Sequence, residues 1–168
     1  SEGLTKEWRQ AQKEYKALLL EKADPGHGLD EFERGIFQVN LPQLHRVDRC
    51  ISCHQGLEDQ RMIGEPQPHT LHPGDFLADH PVQKFGCTIC HGGQGLALSK
   101  EDAFGQLAET HWSYPMLDQP YMQASCGKCH LAIFDGEEGE QSEVTVGMDV
   151  FLRGKAIFSA EGCLGCHQ

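Results

Sequence analysis

Cysteine and histidine residues form one short pattern that occurs four times in the chain. Each copy reads Cys-x-x-Cys-His, and together the copies use all eight cysteines of the 168 residues. With 10 histidines in the chain, one would follow a given Cys-x-x-Cys pair by chance about 6% of the time, and all four pairs on the order of 10⁻⁵. The pattern therefore indicates a chemistry that needs two thiols and an imidazole at each site. The copies are Cys50, Cys53 and His54; Cys87, Cys90 and His91; Cys126, Cys129 and His130; and Cys163, Cys166 and His167.

This pattern is the attachment signature of c-type haem. The two thiols add to the haem vinyl groups as thioethers, and the adjoining histidine gives the iron an axial imidazole. Zinc ribbons and structural disulfides also use closely spaced or even-numbered cysteines, but neither needs a histidine after every second cysteine. We therefore expect four haem c groups, with a motif histidine on each iron.

With these motifs the chain resembles a tetrahaem member of the multihaem c-type cytochromes. Residues 72–95, which include His-Pro-Gly-Asp-Phe and Lys-Phe-Gly-Cys-Thr-Ile-Cys-His-Gly-Gly-Gln-Gly, resemble bacterial members that have a three-haem body followed by a class I domain. The segment from Gly154 through Phe158 to His167 resembles the opening of a class I cytochrome c. The methionine ligand that usually follows in that class is absent before Gln168.

Six histidines remain for the second axial position of the four irons. We favour His72, His80 and His111 as distal iron ligands because they precede the second and third motifs, followed by His45 and His27, with His69 last. This surplus permits two histidines on every iron, although a methionine ligand would raise the reduction potential. A methionine in a small core more commonly serves packing. The methionines are Met62, Met116, Met122 and Met148.

The composition predicts a small fold of helices and irregular loops with little sheet, packed around its haems. Only 39% of the residues are hydrophobic and the chain holds 19 glycines and 8 prolines, so four porphyrins would supply missing apolar bulk. We expect an amphipathic N-terminal helix over residues 1–24, with Leu4, Trp8, Ala11, Tyr15 and Leu18 on one stripe. After this helix we expect three segments: a three-haem body over 25–134, an acidic linker over 135–147 and a fourth haem-binding segment over 148–168. Short helical turns should carry the motifs.

The charge balance favours protein partners over polyanions. The chain has 14 Lys and Arg residues and 25 Asp and Glu residues, which gives a net charge of −11. We therefore expect redox protein partners and exclude nucleic acid and anionic membrane surfaces. No apolar run is longer than residues 17–20, so we expect a mature chain without a signal peptide or transmembrane segment. The family resemblance implies a periplasmic or extracellular location, outside the cytoplasmic membrane.

Electron transfer is the function that these residues predict, by a carrier rather than an enzyme. Two axial histidines on every iron leave no position for a substrate, which disfavours the alternative of a small multihaem reductase with one open haem. The last haem would lie at the end of the chain, where upstream residues, a further domain or a neighbouring subunit could cover it. A neighbouring subunit would create inter-subunit haem contacts and a homopolymer, as in extracellular cytochrome filaments. A subunit or fragment of a larger membrane-associated redox complex is the alternative.

Overall fold

The computed structural model describes residues 7–23, 32–105, 114–130 and 148–166. They form mostly helix and loop with two short strands, as the composition predicts. The chain divides into two compact units, Ser1–Met116 and Leu117–Gln168. The second and third predicted segment boundaries, after residues 134 and 147, lie outside the described residues, as does residue 24, and these boundaries stay predictions. The first two motifs lie in the first unit, and the third and fourth lie in the second.

Helix α1 (Glu7–Lys22) confirms the predicted amphipathic N-terminal helix. An acidic residue in its first turn and Lys22 in its last turn complement the helix dipole. Of the predicted stripe, Trp8, Ala11 and Tyr15 are buried, while Leu19 is buried instead of the half-buried Leu18. Leu4 lies outside the described residues. The apolar face of α1 therefore packs into the core of the first unit, where Tyr15 and Leu19 contact Met62.

A hairpin supports the region between the first two motifs. Strands β1 (Val39–Leu41) and β2 (Arg46–Asp48) pair antiparallel, with Val39 opposite Asp48. Val39 and Leu41 point inward and Asn40 outward, as the two-residue period of a strand requires. The inward side chains contact Val82 in a second hydrophobic cluster, so the hairpin is fixed on one face.

Four short α-helices follow in the part of the first unit that the structure describes. They are α2 (Phe76–Asp79), α3 (Val82–Phe85), α4 (Thr88–His91) and α5 (Lys100–Phe104). Helix α5 begins after Ser99, whose hydroxyl accepts the Asp102 N–H at 3.3 Å, and ends at Gly105 with a φ of 70°. These are the side-chain N-cap and the left-handed glycine that favour helix ends.

The second unit contains a long 3₁₀ helix, Gln119–Lys128, and helix α6 (Asp149–Ala160). The Gln123 side-chain oxygen accepts the Phe151 N–H at 3.1 Å and joins the two elements. No described side chain of α6 is buried, and Val150 and Ile157 are exposed. Across the described residues of the whole chain, none of the helices is long and apolar enough to cross a membrane.

Candidate functional site

The four motifs adopt one backbone arrangement. In each, the carbonyl oxygen of the first cysteine accepts the N–H of the second cysteine, at 3.0, 3.2, 3.2 and 3.1 Å in chain order. In the first three motifs it also accepts the histidine N–H, at 2.9, 3.0 and 2.9 Å. His167 lies outside the described residues. Each motif therefore lies on a tight helical turn, which confirms the prediction of short helical turns and presents both thiols from one loop of chain.

Buried polar side chains hold the first motif, Cys50 to His54. Ser52 lies between its cysteines and is fully buried, and its hydroxyl donates to the Phe37 carbonyl at 2.9 Å and accepts the Phe37 N–H at 2.9 Å. Gln12 of α1 is also fully buried and donates to the Ser52 carbonyl at 2.9 Å. The same amide donates to the Gly35 carbonyl at 2.6 Å and accepts its N–H at 3.1 Å. One glutamine thus joins α1, the 35–37 segment and the first motif.

Asp48 holds the second motif, Cys87 to His91. One carboxylate oxygen accepts the N–H groups of Cys87 at 2.6 Å and Thr88 at 2.8 Å, and the other accepts the Thr88 hydroxyl at 2.8 Å. Asp48 is only 1% exposed. These N–H groups are donors at the start of α4 that the helix itself cannot satisfy. Asp48 therefore caps α4 from a strand 39 residues away.

Glycines let the chain after the second motif approach this carboxylate. A Cβ at Gly95 would collide with the carbonyl oxygen of Val47 and with the Asp48 side chain. At Gly86, before the motif, a Cβ would collide with the same carboxylate, and φ there is +67°. Asp48 and the two glycines therefore form one close-packed support.

The first two motifs meet through their first cysteines. The Cys87 thiol donates to the sulfur of Cys50, which lowers the pKa of Cys50 and raises that of Cys87. Burial, the Glu7 carboxylate and Cys50 raise the pKa of the Cys53 thiol to about 11. Burial likewise raises the pKa of Cys126 in the third motif. The fold therefore places two attachment sites side by side.

The first two motif histidines, His54 and His91, are half-buried and have lowered pKa values. Burial, together with nearby His91 and His69, lowers the pKa of His54, although its ring donates to the Pro68 carbonyl. Burial and nearby His72 lower the pKa of His91. A neutral imidazole is the form that binds a metal, and a hydrogen bond from one ring nitrogen to a backbone carbonyl fixes the tautomer and orients the ring.

The favoured non-motif histidines that the structure describes lie in different environments. The ring of His72 lies edge-on to that of His91, with centroids 6.2 Å apart and planes at 88°. His80 hydrogen-bonds the Phe76 carbonyl through Nδ1 at 3.1 Å and packs edge-on against Phe85. His45 is exposed at the tip of the hairpin with a φ of 50°. His27 and His111 lie outside the described residues. Among the favoured histidines that the structure describes, His72 is thus the one placed against a motif histidine.

His69, ranked last from the sequence, is the most buried of the described non-motif histidines. It is 4% exposed, stacks on Tyr15 and lies close enough to His54 to lower its pKa. Its Nε2 lies 3.2 Å from a carboxylate oxygen of Glu14, while its Nδ1 is buried without a hydrogen-bond partner in the described structure. The sequence around His69 gave no signal of this environment.

The third and fourth motifs have more local surroundings. Ser125 and Gly127 of the third motif region are buried, and Lys128 donates to the Ser125 hydroxyl at 3.2 Å. The second cysteines of both motifs, Cys129 and Cys166, are exposed. The fourth turn follows Gly162, which has a φ of +71°.

A groove of about 630 Å³ borders His72. Apolar side chains, including Leu57, Ile63 and Leu77, line it together with Glu58 and Asp75. No group of three or more His, Cys, Asp and Glu side chains within residues 7–23, 32–105, 114–130 and 148–166 is arranged to hold a metal ion.

Comparisons with protein-family models, with curated proteins and with solved structures each found no match.

Proposed function

We propose that this protein transfers electrons through four covalently attached c-type haems, most or all of them held by two histidines. The observation that carries the proposal is the fourfold Cys-x-x-Cys-His pattern, which accounts for every cysteine. The common turn supports it, because the first cysteine carbonyl draws the second cysteine and the histidine onto one short loop. Two thioethers and an axial imidazole from a single loop are what haem c requires.

The chain's residues would hold the haems in two ways. The eight cysteine sulfurs would each form a thioether, and His54, His91, His130 and His167 would give the irons their proximal imidazoles. The half-buried His54 and His91 fit this role, because the pKa of each is lowered, which favours the neutral ring that binds a metal. His72 also fits iron ligation, because its Nδ1 is buried with no hydrogen-bond partner among the described residues. The bound haems would supply reversible one-electron chemistry between ferric and ferrous iron.

The contact between Cys50 and Cys87 favours transfer between the first two haems. Each haem would be joined to the chain through these sulfur atoms, and the proximity of the two sulfurs would place the attachment edges of two macrocycles near each other. Ser52, Gln12 and Asp48 fix the surrounding backbone. A rigid, closely spaced pair suits outer-sphere electron transfer, whereas a reductase needs an iron with an exchangeable position.

We place this activity outside the cytoplasmic membrane, where c-type haem is attached. The net charge of −11 favours a basic redox protein as the partner. Haem propionates would make the assembled protein more acidic still.

Intact mass and the pyridine haemochrome spectrum of protein produced with a cytochrome c maturation system test the proposal. We expect the mass of the polypeptide plus four haems, and three haems after Cys126→Ala with Cys129→Ala. A polypeptide that carries zinc and no covalent haem would overturn the proposal. Carbon monoxide binding to the reduced protein distinguishes an electron carrier from a reductase. Stoichiometric binding to one native haem would favour a reductase.

A further inference from the structure

We infer that His72 is the distal ligand of the haem attached at Cys87 and Cys90, opposite the proximal His91. This inference rests on the proposed function, because it assigns a ligand pair within one of the four haem sites. It joins two residues 19 positions apart, and the order of histidines and motifs along the chain does not specify which of them pair. The described structure supplies the pairing through the relative position of the two rings.

The separation of the rings matches ligands on opposite faces of one iron. A histidine nitrogen binds a transition metal at about 2.0 Å and lies about 1.1 Å from its own ring centre, so two opposed imidazoles have centres about 6 Å apart. The centroids of His72 and His91 are 6.2 Å apart, and their planes cross at 88°. The two rings therefore have the spacing of an axial pair with perpendicular imidazole planes.

The environment of His72 also points to a ligand. Its Nδ1 is buried and has no hydrogen-bond partner within the described residues. Buried polar atoms in proteins are nearly always partnered, so an unpartnered ring nitrogen marks a histidine whose partner is something other than the surrounding chain. His69 has the same unpartnered Nδ1, but its Nε2 lies 3.2 Å from Glu14, and His80 has the Phe76 carbonyl at 3.1 Å. The ring contact between His72 and His91 therefore carries the assignment.

Both rings lie on backbone that is already fixed. The His72 N–H donates to the Leu57 carbonyl at 2.9 Å, and the preceding Leu71 N–H donates to the Met62 carbonyl at 3.2 Å. His91 ends α4, whose first turn is held by Asp48. A pair of ligands on rigid elements can hold a metal centre without rearrangement of the chain.

The experiment compares haem content and spin state in the assembled four-haem protein and in His72→Ala. We expect both proteins to carry four haems by mass, and the variant to convert one haem in four from low-spin to high-spin by electron paramagnetic resonance. Added imidazole should restore the low-spin signal. Phe76→Leu is the matched control, because Phe76 lies edge-on to His72 at 6.5 Å but offers no ligand, and it should leave all four haems low-spin.

A second background identifies which haem responds. In Cys87→Ala with Cys90→Ala the proposed partner haem is absent, so His72→Ala should add no high-spin signal there. A high-spin signal that persists in this background overturns the pairing, as does a four-haem His72→Ala protein that remains wholly low-spin. Absence of covalent haem in the wild-type chain would instead overturn the proposed function, so the two failures are distinguishable.

His72→Met keeps the inference testable should the alanine variants be degraded. A thioether can replace the imidazole on iron, and we expect one haem to acquire a histidine–methionine spectrum and a higher reduction potential. Four unchanged haem spectra and unchanged potentials in His72→Met would overturn the assignment.

Discussion

The first two motifs and the last two share one backbone turn but differ in how the protein holds that turn. In the first pair, a residue between the two cysteines is fixed from a distance, with Gln12 on Ser52 and Asp48 on Thr88. In the second pair, the described support comes from nearby residues, such as Lys128 on Ser125. The difference suggests that the polypeptide alone fixes the first two sites, whereas the haems themselves contribute more to order around the last two.

Among the substitutions that test this difference, Asp48→Ala should have the largest effect on stability. The change removes the acceptor of two buried N–H groups and one hydroxyl, and we expect it to lower the free energy of unfolding by about 3–5 kcal/mol. Guanidinium denaturation of the haem-loaded protein measures the loss. Asp79→Ala, at an exposed position in α2, is the control and should change stability by less than about 0.5 kcal/mol. Equal effects of the two substitutions would contradict the role of Asp48 as the support of the second motif.

Gln12→Ala tests the corresponding support of the first motif. The buried amide makes three hydrogen bonds, at 2.6, 2.9 and 3.1 Å, and its loss leaves a cavity and unpaired backbone groups. We expect a cost of about 2–3 kcal/mol by the same denaturation measurement. Gln10→Ala on the same helix removes only an exposed bond to Glu14 and should cost about 0.5 kcal/mol or less. A cost for Gln12→Ala no larger than that of the control would show that α1 does not anchor the motif.

Thr88→Val and Ser125→Ala compare a residue within the second motif with the residue before the third. The Thr88 hydroxyl donates to Asp48 and accepts from Arg46 in a buried setting, so we expect a cost of about 1–2 kcal/mol. The Ser125 hydroxyl accepts from an exposed lysine, and its loss should cost about 0.5 kcal/mol or less. Denaturation curves of the two variants measure the loss of unfolding free energy in each. A larger loss for Ser125→Ala than for Thr88→Val would contradict the stronger support of the second motif.

The sequence predicts the local parts of this molecule better than the distant ones. The motifs, their helical turns and the buried face of α1 follow from spacing within a few residues, and the described structure contains them apart from His167. The partners of the motifs do not follow, because Asp48 and Gln12 act across about 40 residues of chain and nothing in their neighbourhood marks them. For the same reason the sequence could name His72 and His69 but not their environments.

Gly154→Ala in the second unit should give the smallest effect, with a sign opposite to that of Gly95→Ala in the first. Gly154 lies inside α6, and a Cβ at this position would have no neighbouring atom within 4 Å. Alanine there should stabilise the helix by about 0.5–1 kcal/mol, because glycine loses more backbone entropy in a helix. Hydrogen exchange of the α6 amides measures this as roughly twofold to fivefold greater protection. Gly95→Ala, where the Cβ would collide with Val47 and Asp48, should instead be destabilising. A loss of protection in Gly154→Ala would mean that α6 packs closely against another surface at this glycine, and the contrast between the two units would then not extend to α6.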